Sequence, residues 1–212
     1  MADLLERVVP LANPQGLPLP KVDPASPCGA RMKGFAVLHL LEHIEQRHGA
    51  AAVDAWRATL PSALARTTDK RAVTSVGWLP VEVYFSAVRW LVDTHHGGDV
   101  REGLRVGHAM ASRDINAFFR TVMGFTSPTT VLSLSGRFWK SYFDHSSLHV
   151  LASTNTSVYA EVRGWPLGDA CSLHEVAGSL VAWMEASRAK DVRITRCELT
   201  APGTLRIDAA WS

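Results

Sequence analysis

From Lys33 onward the hydrophobic positions follow a helical rhythm. Phe35, Leu38, Leu41 and Ile44, with Val37 and Leu40 beside them, recur at helical spacing and stop at His48-Gly49, a basic residue followed by a capping type of glycine. A second helix is predicted over Ala50–Leu64, with Val53, Trp56 and Leu60 on one face, and the polar, punctuated residues 66–77 read as a loop. Pro80 opens a third helix through Val83, Phe85, Val88, Leu91 and Val92, closed by His95-His96-Gly97-Gly98. A fourth starts at Asp99 as N-cap and runs through Leu104, His108, Ile115, Phe118, Phe119 and Val122 to Gly124. Ser127-Pro128 begins a fifth, shorter helix carrying Leu132, Phe138, Trp139 and Tyr142.

The pattern then changes. LHVLAST and SVYAEVRGW alternate or run β-branched, with Asn155-Thr156 as turn chemistry between them, which predicts a hairpin. Asp169 to about Arg188 is helical again, its apolar stripe formed by Leu173, Val176, Leu180, Val181 and Met184. DVRITRCEL and TLRIDAAW are two more strands, separated by Ala201-Pro202-Gly203. The fold class is therefore α/β of the α+β kind: a helical N-terminal half followed by a β-β-α-β-β antiparallel sheet covered by helices.

Residues 1–31 differ from this. Six of the eleven prolines fall in the first 27 residues, and proline neither donates a hydrogen bond nor leaves φ adjustable. Residues 1–9 read as a short helical turn and 10–31 as an extended arm, loose or packed on its own domain. The domain proper is then 32–212, with 1–31 as a proline-rich arm.

Composition narrows the function classes. The chain has 212 residues, enough for one sizeable core, and 22 basic against 20 acidic residues give a formal charge of +2. That balance offers no electrostatic footprint for nucleic acid or an anionic membrane. The opening MADLLERVVPLANP carries Asp3 and Glu6 and lacks a long apolar core, which argues against a secretory signal, and no apolar run is long enough to span a bilayer. Cys28, Cys171 and Cys197 are too few for a disulfide framework, and an odd count suits a reducing compartment. A cytoplasmic protein is expected.

Chemistry-bearing motifs are sparse. His39-Leu40-Leu41-Glu42-His43 has the inverted-zincin spacing, with two histidines on one helix face and a glutamate to activate water, but no third ligand marks itself. Cys171 and Cys197, with His174 one turn after the first, fall one ligand short of a structural zinc site, and no metal is expected there. No Gly-x-Ser-x-Gly and no phosphate-binding glycine loop occurs. The aromatic residues Phe138, Trp139, Tyr142 and Phe143, with Trp78, Trp165 and Trp183, suit either a core or an apolar ligand pocket.

Several segments together resemble a family pattern. Met32-Lys33-Gly34, Gly77–Pro80, Tyr142–Asp144, Ala189-Lys190-Asp191-Val192 and the terminal strand ending in Trp211 look like a paralogous family expanded in myxobacteria. Its C-terminal part is similar to the four-vinyl-reductase-type ligand-binding domain, the effector module of phenol-responsive regulators, which shares its fold with trafficking-particle subunits. The resemblance covers 32–212 and is strongest over 136–212. It implies a small apolar ligand or a partner protein, often with a homodimer. Metal-bearing members place a cysteine before the helix, Glu-x-x-Cys on the next strand and a last cysteine after a glycine turn. Here Cys171 and Cys197 hold two of those places, Ile194 replaces the glutamate, and Thr-Leu-Arg-Ile follows Gly203, so the resemblance implies no zinc. The opening helix is also similar to that of haem-based nitric-oxide sensors, but none of the nine histidines marks itself as a haem ligand, and no cofactor is expected.

The expectation is a non-catalytic sensory or adaptor domain that binds a small apolar or aromatic ligand and signals through a partner protein. Trp139 and Tyr142 are the candidate ligand contacts, with His108 as a polar contact. The alternative is an interaction scaffold without a ligand, and an enzyme would have to rest on His39, Glu42 and His43.

Overall fold

Two side-chain caps begin the helices on either side of the sheet's first hairpin. In the computed structural model, which describes residues 3–69, 73–115 and 127–212, the Ser127 hydroxyl accepts from the Thr130 amide at 3.2 Å and starts α7 (Pro128–Tyr142). The Asp169 carboxylate accepts from the Ser172 amide at 3.0 Å and starts α8 (Ala170–Ala186). Each satisfies an amide that the helix itself leaves without a partner. Ahead of them run α1 (Leu4–Arg7), α2 (Gly34–His48), α3 (Ala50–Arg57), α4 (Ser62–Thr67), α5 (Val81–His95) and α6 (Gly103–Asp114), the last entered through a short 3-10 turn at Val100–Glu102 that Asp99 caps.

The expected helix over Ala50–Leu64 is two helices. It stops at Arg57 and resumes at Ser62, because Pro61 has no N–H to continue the ladder and biases the residue before it away from helical backbone. Two short strands, β1 (Arg31–Lys33) and β2 (Trp78–Pro80), pair antiparallel where the arm meets the first core helix and where the 66–77 loop meets the third, and no strand was expected at either place. At three residues each they are too short to carry a periodic signal. Phe118, Phe119, Val122 and Gly124, placed by the pattern in the fourth helix, lie outside the described residues.

The β-β-α-β-β order holds. β3 (Ser147–Ser153), β4 (Ser157–Arg163), β5 (Arg193–Ala201) and β6 (Thr204–Ala210) form one antiparallel sheet in the order β3-β4-β6-β5. The register aligns the inward residues in rows. Val150 faces Ala160, Ala160 faces Ile207 and Ile207 faces Cys197, while Val158 faces Ala209 and Ala209 faces Ile194. The alanines sit in the two central strands, so the middle of this face is lower than its margins.

The arm lies along the outer edge of β5. Val8 and Ala12 form parallel bridges to Ile194 and Glu198, with Ala12 N donating to Cys197 O at 2.8 Å and Leu199 N to Ala12 O at 2.9 Å. Pro10 and Pro14 are tolerated because only one side of an edge segment must bond, and the sheet edge is thereby covered. Arg7 donates to Glu185 at 2.6 Å and Arg101 donates to Leu5 O at 2.5 Å, tying α1 to α8 and to the turn before α6.

α6 and α8 pack with their backbones almost in contact. A Cβ at Gly107 would lie 2.0 Å from Glu175 O, one at Gly178 2.0 Å from Leu104 O, and one at Gly103 2.5 Å from Cys171 O. Only glycine fits at these three points. Gly107→Ala or Gly178→Ala should therefore destabilise the fold by about 2 kcal/mol or more, the cost of overpacking a site where backbone must move. Gly136→Ala on α7, where the new Cβ would meet nothing closer than 3.4 Å, should be neutral or stabilise by up to about 1 kcal/mol through helix propensity. Urea denaturation of the three variants checks the contrast.

Candidate functional site

The low centre of the sheet, the inner face of α7 and the α6–α8 pair enclose a cavity of about 100 Å³ that is partly open to solvent. Ala160, Ala209, Ile194 and Ile207 floor it from the sheet, and Leu148 and Val150 close the β3 side. An engineered cavity of roughly 150 Å³ holds benzene, so this one is on the scale of a single small aromatic ring with its walls near their present places.

One wall is aromatic. Phe138 and Trp183 stack with centroids 5.1 Å apart, and Trp183 meets Tyr142 edge-on at 6.0 Å. Tyr142 in turn meets Phe35 edge-on at 4.9 Å. Trp139 is held by its indole N–H, which donates to Ser146 Oγ at 2.9 Å. Trp139, Tyr142, Phe138 and Trp183 all line the cavity. The spacing along α7 that suggested an aromatic cluster places its rings on one side because residues 138, 139 and 142 share a helix face.

Two carboxyl groups also line the cavity. Glu175, in the middle of α8 and 4% exposed, accepts from the Tyr84 hydroxyl at 2.7 Å and from the Ser179 hydroxyl at 3.4 Å, both on Oε1. Asp114, at the end of α6, shares a hydrogen bond with His39 Nδ1. No described lining residue is Lys, Arg or His. Burial, offset in part by the Tyr84 and Ser179 donors, raises the Glu175 carboxyl to about 7, and the nearby Asp114 charge adds to the rise. Burial, then Glu175, pushes the Tyr84 hydroxyl far above its ordinary range, and burial, then Asp114, does the same to Tyr142.

Trp139 and Tyr142, chosen from the pattern, are thus at the cavity, and His108 is not. His108 Nε2 bonds Glu185 Oε2 at 2.7 Å on the half-exposed side of α6, beside the Arg7 ion pair, because its position on α6 faces α1 and the end of α8 rather than the sheet. The residues missed were Glu175, Asp114 and Tyr84. One signal was available for the first: from Ala170 to Met184 the chain is apolar or small apart from His174 and Glu175, and Glu175 is its one carboxylate.

The histidine motif does not assemble. His39 is engaged with Asp114, Glu42 pairs with Arg113, and burial with Arg47 nearby pushes His43 down to about 4. Among the described residues no group of three or more His, Cys, Asp or Glu is placed to hold a metal. Cys171 and Cys197 are buried core thiols, which burial pushes up, Cys197 to about 12. No described helix is long and apolar enough to cross a membrane.

No protein-family model and no curated protein matches the chain. Solved structures do. The Fe(II) unliganded H-NOX protein from K. algicida is similar over 85% of this chain and 97% of its own, at 12% identity and a TM-score of 0.63. An H-NOX protein from S. oneidensis in the Fe(II)NO ligation state matches over 85% and 99%, at 13% identity and a TM-score of 0.63. An oxygen-binding H-NOX domain related to soluble guanylate cyclases matches over 85% and 95%, at 12% identity and a TM-score of 0.60. The fold is H-NOX-like.

Other structures of this fold concern haem and porphyrin distortion, which makes haem the natural candidate occupant of this cavity. All nine histidines lie within the described residues and none lines the cavity; nor does any cysteine. Tyr84 and Tyr142 are held in their protonated form by burial, which disfavours the tyrosinate a haem iron would need. Among the described lining residues there is no cation for a porphyrin's carboxylates, and two carboxyl groups stand there instead. The described lining residues do not fit a haem held through histidine, cysteine or tyrosine.

The raised Glu175 carboxyl has a thermodynamic consequence. Its folded-state value, about 7, lies above the ordinary 4.5, so the unfolded chain loses that proton first as pH rises. The stability it contributes is full below about 4.5 and is lost as pH rises through about 7. Glu175→Gln keeps an acceptor for Tyr84 and does not titrate. Its stability relative to the parent should therefore climb from about pH 5 to about pH 8, on the order of 1–3 kcal/mol. Urea midpoints across that range check it, and a flat difference would contradict the assignment.

Proposed function

We propose that the protein is a non-catalytic sensory domain that takes a small organic molecule, apolar or aromatic in its body, into the cavity between α7 and the sheet, and passes the binding event to a partner protein. The observation that carries this is the cavity itself, with one aromatic wall, an apolar floor and a size suited to one ring. The H-NOX-like fold supports it at a coarser level, since neighbours of that fold are described as binding NO or oxygen. The donor set in this chain takes the reading away from haem and towards an organic occupant. The resemblance to the myxobacterial family and to four-vinyl-reductase-type effector domains belongs to the same proposal, as do a cytoplasmic setting and a homodimer.

Signalling would use α7. That helix contributes much of the aromatic wall, and its last turn joins the short ribbon through the Met32–Phe143 bridge, so an occupant that shifts α7 also moves β1 and the start of α2.

Ethylbenzene is a suitable neutral probe. It should change the fluorescence of Trp139 and Trp183 saturably and raise the melting temperature, and Ser135→Phe, which places a ring in the cavity from α7, should abolish both effects while keeping the circular dichroism of the parent. An undiminished response in the filled variant, or no response in the parent, would contradict the cavity reading. Partner binding that ignores both ligand and filling would instead favour an interaction module.

A further inference from the structure

Two carboxyl groups in an apolar cavity are an expense that the fold has not removed. Glu175 stands where a leucine or methionine would extend the surface of α8, between Leu173, Val176 and Leu180. Glutamine in its place would still accept from Tyr84 and Ser179, so those two hydrogen bonds do not require an acid. Asp114 has His39 as its partner on the α2 side and the Tyr142 hydroxyl from α7, whereas Glu175 has only hydroxyl donors and no cation among the described residues. A buried carboxyl without a cation is costly unless something neutralises it.

What faces these groups narrows the choice of occupant. The aromatic wall of Phe138, Trp139, Tyr142 and Trp183 presents ring surface to the same space. Aromatic faces attract cations within about 6 Å of the ring centre, by about 0.5–2 kcal/mol depending on how dry the site is. An anionic ligand would meet two carboxyl groups, and a neutral hydrocarbon would leave Glu175 as costly as before. An ammonium group on an apolar or aromatic body answers both the carboxyl groups and the rings.

We propose that the cavity's occupant is a small organic cation, a protonated amine on an aromatic or apolar body, with its ammonium held by Glu175 beside Asp114 and its body against the rings of α7 and Trp183. This rests on the cavity reading above and adds the ligand's charge to it. Tyr84 is a positioning residue: its hydroxyl holds Oε1 and leaves the rest of the carboxyl to the ligand.

The test compares benzylamine with ethylbenzene, which have the same shape and differ in charge. Binding to the full chain is measured by calorimetry and tryptophan fluorescence at about pH 8, where Glu175 is ionised and benzylamine keeps its proton. Benzylamine should bind about tenfold more tightly than ethylbenzene, a difference of about 1.4 kcal/mol. Glu175→Gln should bring the two within about twofold without weakening ethylbenzene, and Asp114→Asn should narrow the gap by a smaller factor, about threefold, which keeps the proposal testable should the first variant fold poorly. If ethylbenzene binds as well as benzylamine, the cation is overturned and the apolar cavity stands. If benzylamine keeps its advantage in both variants, the assignment to these carboxyls is overturned. If neither probe binds the parent, the cavity reading and this inference fall together.

Discussion

The backbones of α6 and α8 approach so closely at Gly103, Gly107 and Gly178 that any Cβ there would lie within 2.5 Å of a carbonyl oxygen. Much else in the molecule depends on that approach. It presses the Glu175 carbonyl against Gly107, which fixes where on α8 the Glu175 side chain leaves the backbone. Ser179, one turn later, reaches across to Gly107 O at 3.2 Å and also to Glu175. Asp114 follows at the far end of α6, and the pair of helices brings both acids to the same space above the sheet. Small residues at such a crossing trade helix propensity for close van der Waals contact, and here they also set the polar end of the cavity.

The remaining walls follow from ordinary patterning. Period-two alternation puts Ala160 and Ala209 on the inward face of the two central strands, and the helical period of α7 puts its rings opposite. An H-NOX-like frame thus encloses a cavity whose chemistry differs from a haem pocket. It has rings and aliphatic groups for an apolar body, two carboxyl groups at one end, and, among its described lining residues, no nitrogen or thiolate ligand for iron. The fold is shared with haem proteins, while the site is this chain's own.

Much of the architecture was legible in the residues, because it is written in local chemistry. Asp99 caps as expected, the helices expected from Ser127-Pro128 and from Asp169 begin there, and Asn155-Thr156 and Pro202-Gly203 turn the two hairpins. What escaped has physical reasons. Pro61 splits a helix whose apolar spacing runs on past it, and the β1–β2 ribbon is too short for any period. The glycine crossing depends on two segments far apart in the chain, and Gly103 or Gly107 alone reads as a weak helix position. Trp139 and Tyr142 stand at the cavity, where aromatic rings at helical spacing on α7 put them. Glu175 and Asp114 were missed because a lone acid in a helix reads as a solvated face, and His108 was chosen because nothing in its neighbours shows that it turns towards Glu185.

We infer that an H-NOX-like fold here surrounds a site for a small organic molecule whose described lining residues offer iron no ligand. The most direct measurement is the absorption spectrum and haem content of the full chain purified from haem-replete cells and again after incubation with ferrous haem. Neither sample should show stoichiometric haem or an intense porphyrin band. One haem per chain, with the spectrum of a histidine-bound iron, would contradict that inference.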